Sequence, residues 1–455
     1  MRHAIWVLAV LAGVLSPVLG GIEDSFPASV LQDARLTTLQ LLEKYKYPAE
    51  AHQVTTEDKY ILTLHRIPRP GAKPVLLVHG LQDTSATWII MGPHSGLAYY
   101  LYDNGYDVWL ANCRGNRYSR SHVKLNANTD KAYWSFSWHE IGMYDLPAMI
   151  DAILVKTGYQ KLSYFGHSQG TTSFFVMASS RPEYNAKIYL MSAMAPVAFM
   201  RHMKAPLMGI ARMGIGVFGE NFELFPNSPL YLNQCLQSSG VMKTCVRFYW
   251  QIVGKNQEEH NMTMFPAVLG HLPGGCNVKQ PIHYLQLQTS DRFCQFDNDA
   301  KENQRVYGRP TPPDYRLERI TAPVALYYGS NDFLSAVEDV QRLAKLLPNV
   351  VENHLYRKWN HMDMHWGISA RRTVMPRVLK VMQYWESGEE RKDVTTGSPV
   401  EEEVTQLTTE AAVEGNQGNE EADTVAKEES TERNQGERVD QEVHQKKVTE
   451  SPGEE

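Results

Sequence analysis

After its first twenty residues the chain has no apolar run approaching the ~20 residues a helix needs to cross a bilayer, so no membrane span is expected in its body. Positive charge is not gathered anywhere. Residues 21–387 carry 37 Lys and Arg against 31 Asp and Glu, scattered rather than striped, and nucleic-acid binding has no support. No glycine-rich loop of the phosphate-cradling kind is present, and no internal repeat, which excludes solenoids and propellers. Cysteine is sparse, five residues in 455 and odd in number. Aromatic residues stop at Trp385. Residues 388–455 then hold 20 acidic and 7 basic side chains among Gln, Thr, Asn and Gly, too little apolar surface to offset the entropy of ordering. A disordered acidic tail is expected there.

What remains is ample for a large core, with 43% hydrophobic and 10% aromatic residues overall. Residues 1–20 read as a secretory signal: Arg2 and His3, then the apolar stretch Ala4 to Leu15, then Ser-Pro-Val-Leu-Gly ending at Gly20. The mature chain is accordingly expected outside the cytosol, where disulfides persist. Short apolar runs at Val75 to Val78, Tyr106 to Leu110, Leu162 to Phe165, Ile188 to Met191, Val324 to Tyr328 and Val351 to Leu355 predict buried strands. Helical patterns at His139 to Lys156, Gln169 to Ser180, Val337 to Leu347 and Arg371 to Trp385 alternate with them. Ala51 to Thr55 and Tyr60 to Arg66 predict a hairpin at the start. Such alternation predicts an α/β fold, a mainly parallel sheet with helices on both faces.

The interval between Pro196 and Pro323 breaks this rhythm and is too long for a loop, so residues of about 197–322 are expected to form a structured insertion above the C-terminal ends of the strands. Nine of the 18 Met fall between Met191 and Met264, beside Phe218, Phe222, Phe225, Phe248, Tyr249 and Trp250. They read either as fillers of irregular core gaps or as an adaptable apolar surface.

The sharpest chemical signal is Gly166-His167-Ser168-Gln169-Gly170, directly after an apolar strand and before a helix. Flanking glycines permit a strained strand-to-helix turn that exposes a serine hydroxyl, with the helix N-terminus aimed at developing negative charge. A serine alcohol needs a base, and the base needs an orienting acid; in this fold the order is Ser, acid, His. His361, in Lys358-Trp359-Asn360-His361 just past the last strand, can be returned to the serine by a loop, whereas His354 lies inside a strand and His444 in the tail. Asp332 closes Gly329-Ser330-Asn331-Asp332 right after the strand ending at Tyr328; Asp339 is already on the next helix and Asp363 stands too near His361 in sequence. The oxyanion calls for the amide of Gln169 and one from the loop after an earlier strand, where His79-Gly80-Leu81 offers Leu81; His79 reads as shaping that loop.

No metal site is read. His361 and His365 have the i, i+4 spacing of zinc ligands, but Met362 stands where the glutamate belongs and no third ligand follows. Of the cysteines, Cys235 and Cys245 are close enough to bridge, and Cys276 with Cys294 forms a second candidate pair that leaves Cys113 free; sequence alone does not fix the pairing. Asn261-Met262-Thr263 is the acceptable glycosylation sequon.

Taken in order, Tyr47-Pro48, Val54 to Asp58, Tyr60 to Pro68, Val78 to Leu81, Arg114-Gly115-Asn116, Tyr144 to Ala148, Gly166 to Gly170, Gly329 to Asp332 and Asn360 to Asp363 resemble the acid lipase family, the gastric and lysosomal acid lipases and their insect relatives. The similarity runs from about Tyr45 to Trp385. It implies an α/β-hydrolase fold over residues 21–387 with a mostly helical cap and lid. It also implies a secreted or lysosomal, cofactor-free lipase acting on neutral lipids, triacylglycerols or cholesteryl esters, at a lipid–water interface. The family's nucleophile, acid and base fall on Ser168, Asp332 and His361, its oxyanion donors on Leu81 and Gln169, and its cap disulfide on Cys235 with Cys245. A non-catalytic lipid-binding protein on the same scaffold and a short-chain carboxylesterase remain the alternatives. Oligomeric state is not legible.

Overall fold

A computed structural model describes residues 21–205 and 221–388. The expected signal (residues 1–20) and the tail from residue 389 lie outside the described residues, as do Met208, Met213 and Phe218 of the insertion. Eight strands lie side by side: β1 Glu50–Thr55, β2 Tyr60–Ile67, β3 Pro74–Val78, β4 Asp107–Leu110, β5 Leu162–His167, β6 Ile188–Met194, β7 Val324–Gly329 and β8 Val350–Tyr356. Their order is β1-β2-β4-β3-β5-β6-β7-β8, with the short Ser121–His122 strand paired to β2 at the side. The β1–β2 hairpin and the β2–β4 pair are antiparallel; every pairing from β4 to β8 is parallel.

Parallel strands joined by helical crossovers are covered on both faces, which is why these segments are apolar without alternation. Successive β3 residues divide between two cores. Leu76 and Val78 join Trp109, Tyr164, Met191 and Leu326 on one face, under helices Leu146–Thr157, Gln169–Ser180 and Val337–Leu346. Val75 and Leu77 join Val108, Leu110, Phe165 and Tyr327 on the other, under helices Leu97–Asp103 and Ala370–Ser387. Gly142 lets the π-helical turn Ile141–Asp145 sit against Gln169–Ser180, since a Cβ there would lie 2.6 Å from Val176 Cβ.

Two N-terminal helices, Ala28–Asp33 and Thr38–Lys44, were not anticipated. The second has a local signal, the reciprocal cap in which the Thr37 hydroxyl accepts from the Gln40 amide and the Gln40 side chain accepts from the Thr37 amide; the first has no side-chain cap.

Between β6 and β7 the described insertion is helical, with Pro229–Cys235, Ser239–Val253, Phe265–His271, Lys279–Ser290 and Ala300–Tyr307, plus a two-stranded ribbon of Glu223–Leu224 and Cys276–Asn277. The Cys235–Cys245 disulfide joins the first two of these helices across 10 residues. The second candidate pair does not form: Cys276 lies in the ribbon, the Cys294 backbone pairs with that of Asp314 in an isolated antiparallel β-bridge, and both thiols are free and buried, as is Cys113. The methionines serve both suggested ends. Met191, Met194, Met200, Met203 and Met242 are buried, whereas Met262 is exposed, as are Phe225, Leu230 and Phe248. Among the described residues no helix is long and apolar enough to cross a membrane.

Candidate active site

β5 ends at His167, and helix Gln169–Ser180 begins one residue after Ser168. Ser168 therefore occupies the turn alone, with φ 51° and ψ −114°, outside the comfortable regions for a side-chain-bearing residue. The two glycines make this possible by close approach. A Cβ on Gly170 would lie 2.3 Å from the Val78 carbonyl oxygen at the end of β3, and one on Gly166 would lie 2.8 Å from the Gly170 carbonyl carbon. The turn is thus wedged against the centre of the sheet, and its strain is held by packing. As the first residue of its helix, Gln169 presents an N–H with no intrahelical acceptor.

Asp332 and His361 stand on the loops that follow β7 and β8. His361 Nδ1 lies 2.8 Å from Asp332 Oδ2 and 3.0 Å from Oδ1. Asp332 Oδ1 also accepts from the amides of Leu334 and Ser335, both at 2.8 Å, so the carboxylate is fixed before it meets the ring. With Nδ1–H donated to the acid, Nε2 is the nitrogen left to accept a proton. His361 is brought to the serine turn by its neighbour: His167 Nε2 donates to the His361 carbonyl at 2.9 Å, and the two rings have centroids 4.8 Å apart. No hydrogen bond is found on the hydroxyl of half-buried Ser168 among the described residues; catalytic hydrogen bonds are often long in unliganded enzymes and tighten in the substrate complex.

On the other side of Ser168 runs the loop after β3. A Cβ on Gly80 would lie 3.3 Å from Ser168 Cβ, so only glycine lets this loop come so near the hydroxyl without crowding. His79 is buried, and desolvation lowers its pKa to about 4, keeping the ring neutral. Its Nδ1–H donates to the Gly80 carbonyl at 2.8 Å, while its Nε2 accepts from the Cys113 amide and the Asn116 side chain, each at 3.1 Å. Because C=O and N–H point oppositely across one peptide plane, holding Gly80 O turns the Leu81 N–H the other way. Leu81 N–H has no acceptor among the described residues.

His365 does not join His361 as a ligand. It packs tilted against His167, centroids 4.4 Å apart, and its Nε2 contacts Thr87 Oγ1 at 3.1 Å; burial lowers its pKa to about 3. No group of three or more His, Cys, Asp or Glu side chains among the described residues could hold a metal ion. Asp363 shapes the histidine loop. Its Oδ2 accepts from the Asn360 amide at 2.7 Å and from Asn256 of the cap at 2.8 Å, and burial raises its pKa to about 7. The cap is fastened there by two further bonds, His361 N–H to Val253 O and Asn360 Nδ2 to Gly254 O, both 3.0 Å. Asn261 is half-buried, and its Oδ1 accepts from the Met264 amide at 3.3 Å.

The "alpha/beta hydrolase fold" family model matches residues 73–368, and a "Partial alpha/beta-hydrolase lipase region" model matches residues 38–92. Among characterised proteins, the chain is 43% identical to Lipase 1 of Drosophila melanogaster over 372 residues, 79% of this chain and 84% of that one. It is 42% identical to Lipase 3 of the same fly, covering 76% and 92% of the two chains. With the Gastric triacylglycerol lipase of Rattus norvegicus it shares 34% identity over 77% of this chain and 92% of the relative.

Proposed function

This chain belongs to the α/β-hydrolase family and, within it, to the lipases, and from that premise we propose a secreted or lysosomal lipase that cleaves neutral-lipid esters through Ser168, His361 and Asp332. An ester hydrolase of lipase type needs an activated alcohol, and these three side chains supply one. Ser168 attacks the ester carbonyl while His361 Nε2 takes its proton; Asp332, held by two backbone amides, keeps the imidazole in the tautomer that can accept it. The amides of Leu81 and Gln169 receive the negative charge on the carbonyl oxygen, and the imidazolium returns its proton to the departing alcohol. Water then attacks the acyl-serine by the same route. No step draws on a cofactor.

The observation that carries this reading is the buried His361–Asp332 pair beside a serine turn that is strained and wedged in place. Neutral-lipid esters, triacylglycerols and in second place cholesteryl esters, are the substrates of this reading, and the exposed Phe225, Leu230, Phe248 and Met262 of the insertion suit contact with a lipid–water interface. The disulfide fits an oxidising destination, where the Asn261 sequon would be open to glycosylation. The test is Ser168→Ala assayed on emulsified triolein: turnover should fall about a millionfold with the fold intact, and fluorophosphonate labelling should vanish. Substantial hydrolysis by that variant ends the proposal.

A further inference from the structure

The residue after Leu81 departs from ordinary loop behaviour. Gln82 has φ 62°, in the left-handed region, and all its bonds run to the insertion. Its carbonyl accepts from the Gly274 amide at 2.6 Å. Its Nε2 donates to the Leu224 carbonyl and to Cys276 Sγ, each at 2.9 Å, one on either strand of the cap ribbon. Burial pushes the Cys276 thiol far above its usual range, so the sulfur is a neutral acceptor and not a thiolate. The amide cannot be turned over, because its oxygen would then face the Leu224 carbonyl. Its Oε1 is buried with no partner, a cost that leaves the donor side as the useful one.

From these contacts we propose that Gln82 is a positioning residue that fixes the Leu81 amide by tying the oxyanion loop to the cap ribbon. Leu81 is then held from both sides. Upstream, His79 grips the Gly80 carbonyl; downstream, Gln82 is pinned at three points. Gly274 packs directly against the turn at Asp83 and Thr84, where a Cβ would lie 2.7 Å from Thr84 Cγ2 and 3.0 Å from the Asp83 carbonyl. The oxyanion donor thus takes its position from the insertion as well as from the sheet, so a change in the seating of the ribbon reaches the developing charge through one side chain. The ground-state ester makes little demand on this donor; the tetrahedral species does.

The inference rests on the triad reading above and is tested separately from it. Full-length wild type, Gln82→Leu and Gln82→Asn are compared on a water-soluble short-chain nitrophenyl ester and by the rate of fluorophosphonate inactivation. Asn keeps the amide, tolerates the left-handed backbone and shortens the reach. For Gln82→Leu, kcat should fall about 10- to 100-fold with KM changed less than about twofold, because a misplaced donor is missed only in the transition state. The inactivation rate should fall in parallel, and Gln82→Asn should lie between. Turnover per active site within about twofold of wild type, or a loss confined to KM or to thermal midpoint, overturns the assignment. Activity surviving in Ser168→Ala would instead sink the triad reading, whatever Gln82 does.

Discussion

Replacing Gly170 by alanine tests whether the serine turn is held by contact with the sheet. The added Cβ would stand 2.3 Å from Val78 O, 3.0 Å from its carbonyl carbon and 3.1 Å from His79 O. An ordinary carbon–oxygen contact needs about 3.3 Å, so something must retreat by roughly 1 Å. Val78 cannot: β3 is hydrogen-bonded to β4 on one side and β5 on the other. The helix beginning at Gln169 must yield, and it carries both the Gln169 amide and the Ser168 hydroxyl with it. A displacement of that size at reacting atoms costs on the order of a hundredfold in rate, and overpacking a filled interior costs about 1 to 3 kcal/mol. The matched control is Gly158→Ala. That glycine caps helix Leu146–Thr157 with φ 76° and has nothing within 4 Å of a Cβ, so it should lose about 1 to 2 kcal/mol to backbone strain and keep its activity. Thermal midpoints and kcat on a soluble ester separate the two. Equal turnover in both variants would refute the reasoning.

Asp332→Asn should keep the fold but strand His361 in the wrong tautomer, lowering kcat about ten-thousandfold; a rate within tenfold of wild type would reassign the acid. Replacing both Cys235 and Cys245 by Ser frees a 10-residue link and should cost about 2 to 3 kcal/mol, seen as earlier proteolysis within the insertion before the core unfolds. Asp363 has a folded pKa of about 7, above its unfolded value, so its contribution is complete below about pH 4 and is lost as pH rises through 7. Asp363→Asn, mimicking the protonated acid, should match wild type near pH 4 and exceed its thermal midpoint at pH 7.5. A parallel pair of pH–midpoint curves would contradict that.

Strands β3 and β7 are legible as unbroken apolar runs, as a sheet buried on both faces demands, whereas β8 at the sheet edge carries Glu352, Asn353 and His354 and is only partly buried, not the buried strand expected at Val351 to Leu355. Gly166 to Gly170 announced its turn because only glycine fits at both ends. His361 and Asp332 could be singled out by their places just past strands, and the structure sets them 2.8 Å apart. Other features left little local trace. Helix Ala28–Asp33 has no side-chain cap to mark it, and helix Thr38–Lys44 is marked only by the Thr37–Gln40 capping box. Cys276 and Cys294 looked pairable by spacing, yet three-dimensional placement sends Cys276 to Gln82 and Cys294 to a β-bridge with Asp314. The Gln82 bonds span 142 and 194 residues, and no window of sequence reports contacts at that range. In the sequence His167 is only one residue of the turn motif, while in the structure its ring holds the His361 backbone carbonyl.

The first described residues do not hang free. The Ile22 amide bonds to the Leu236 carbonyl at 2.9 Å, a Cβ on Gly21 would meet that same oxygen, and Gly270 admits the Ala34 backbone against helix Phe265–His271. A polyhistidine or fluorescent-protein fusion placed ahead of residue 21 would therefore start beside the disulfide-bridged hairpin of helices, where there is little room for added bulk. Recombinant production is better served by an affinity handle at the opposite terminus.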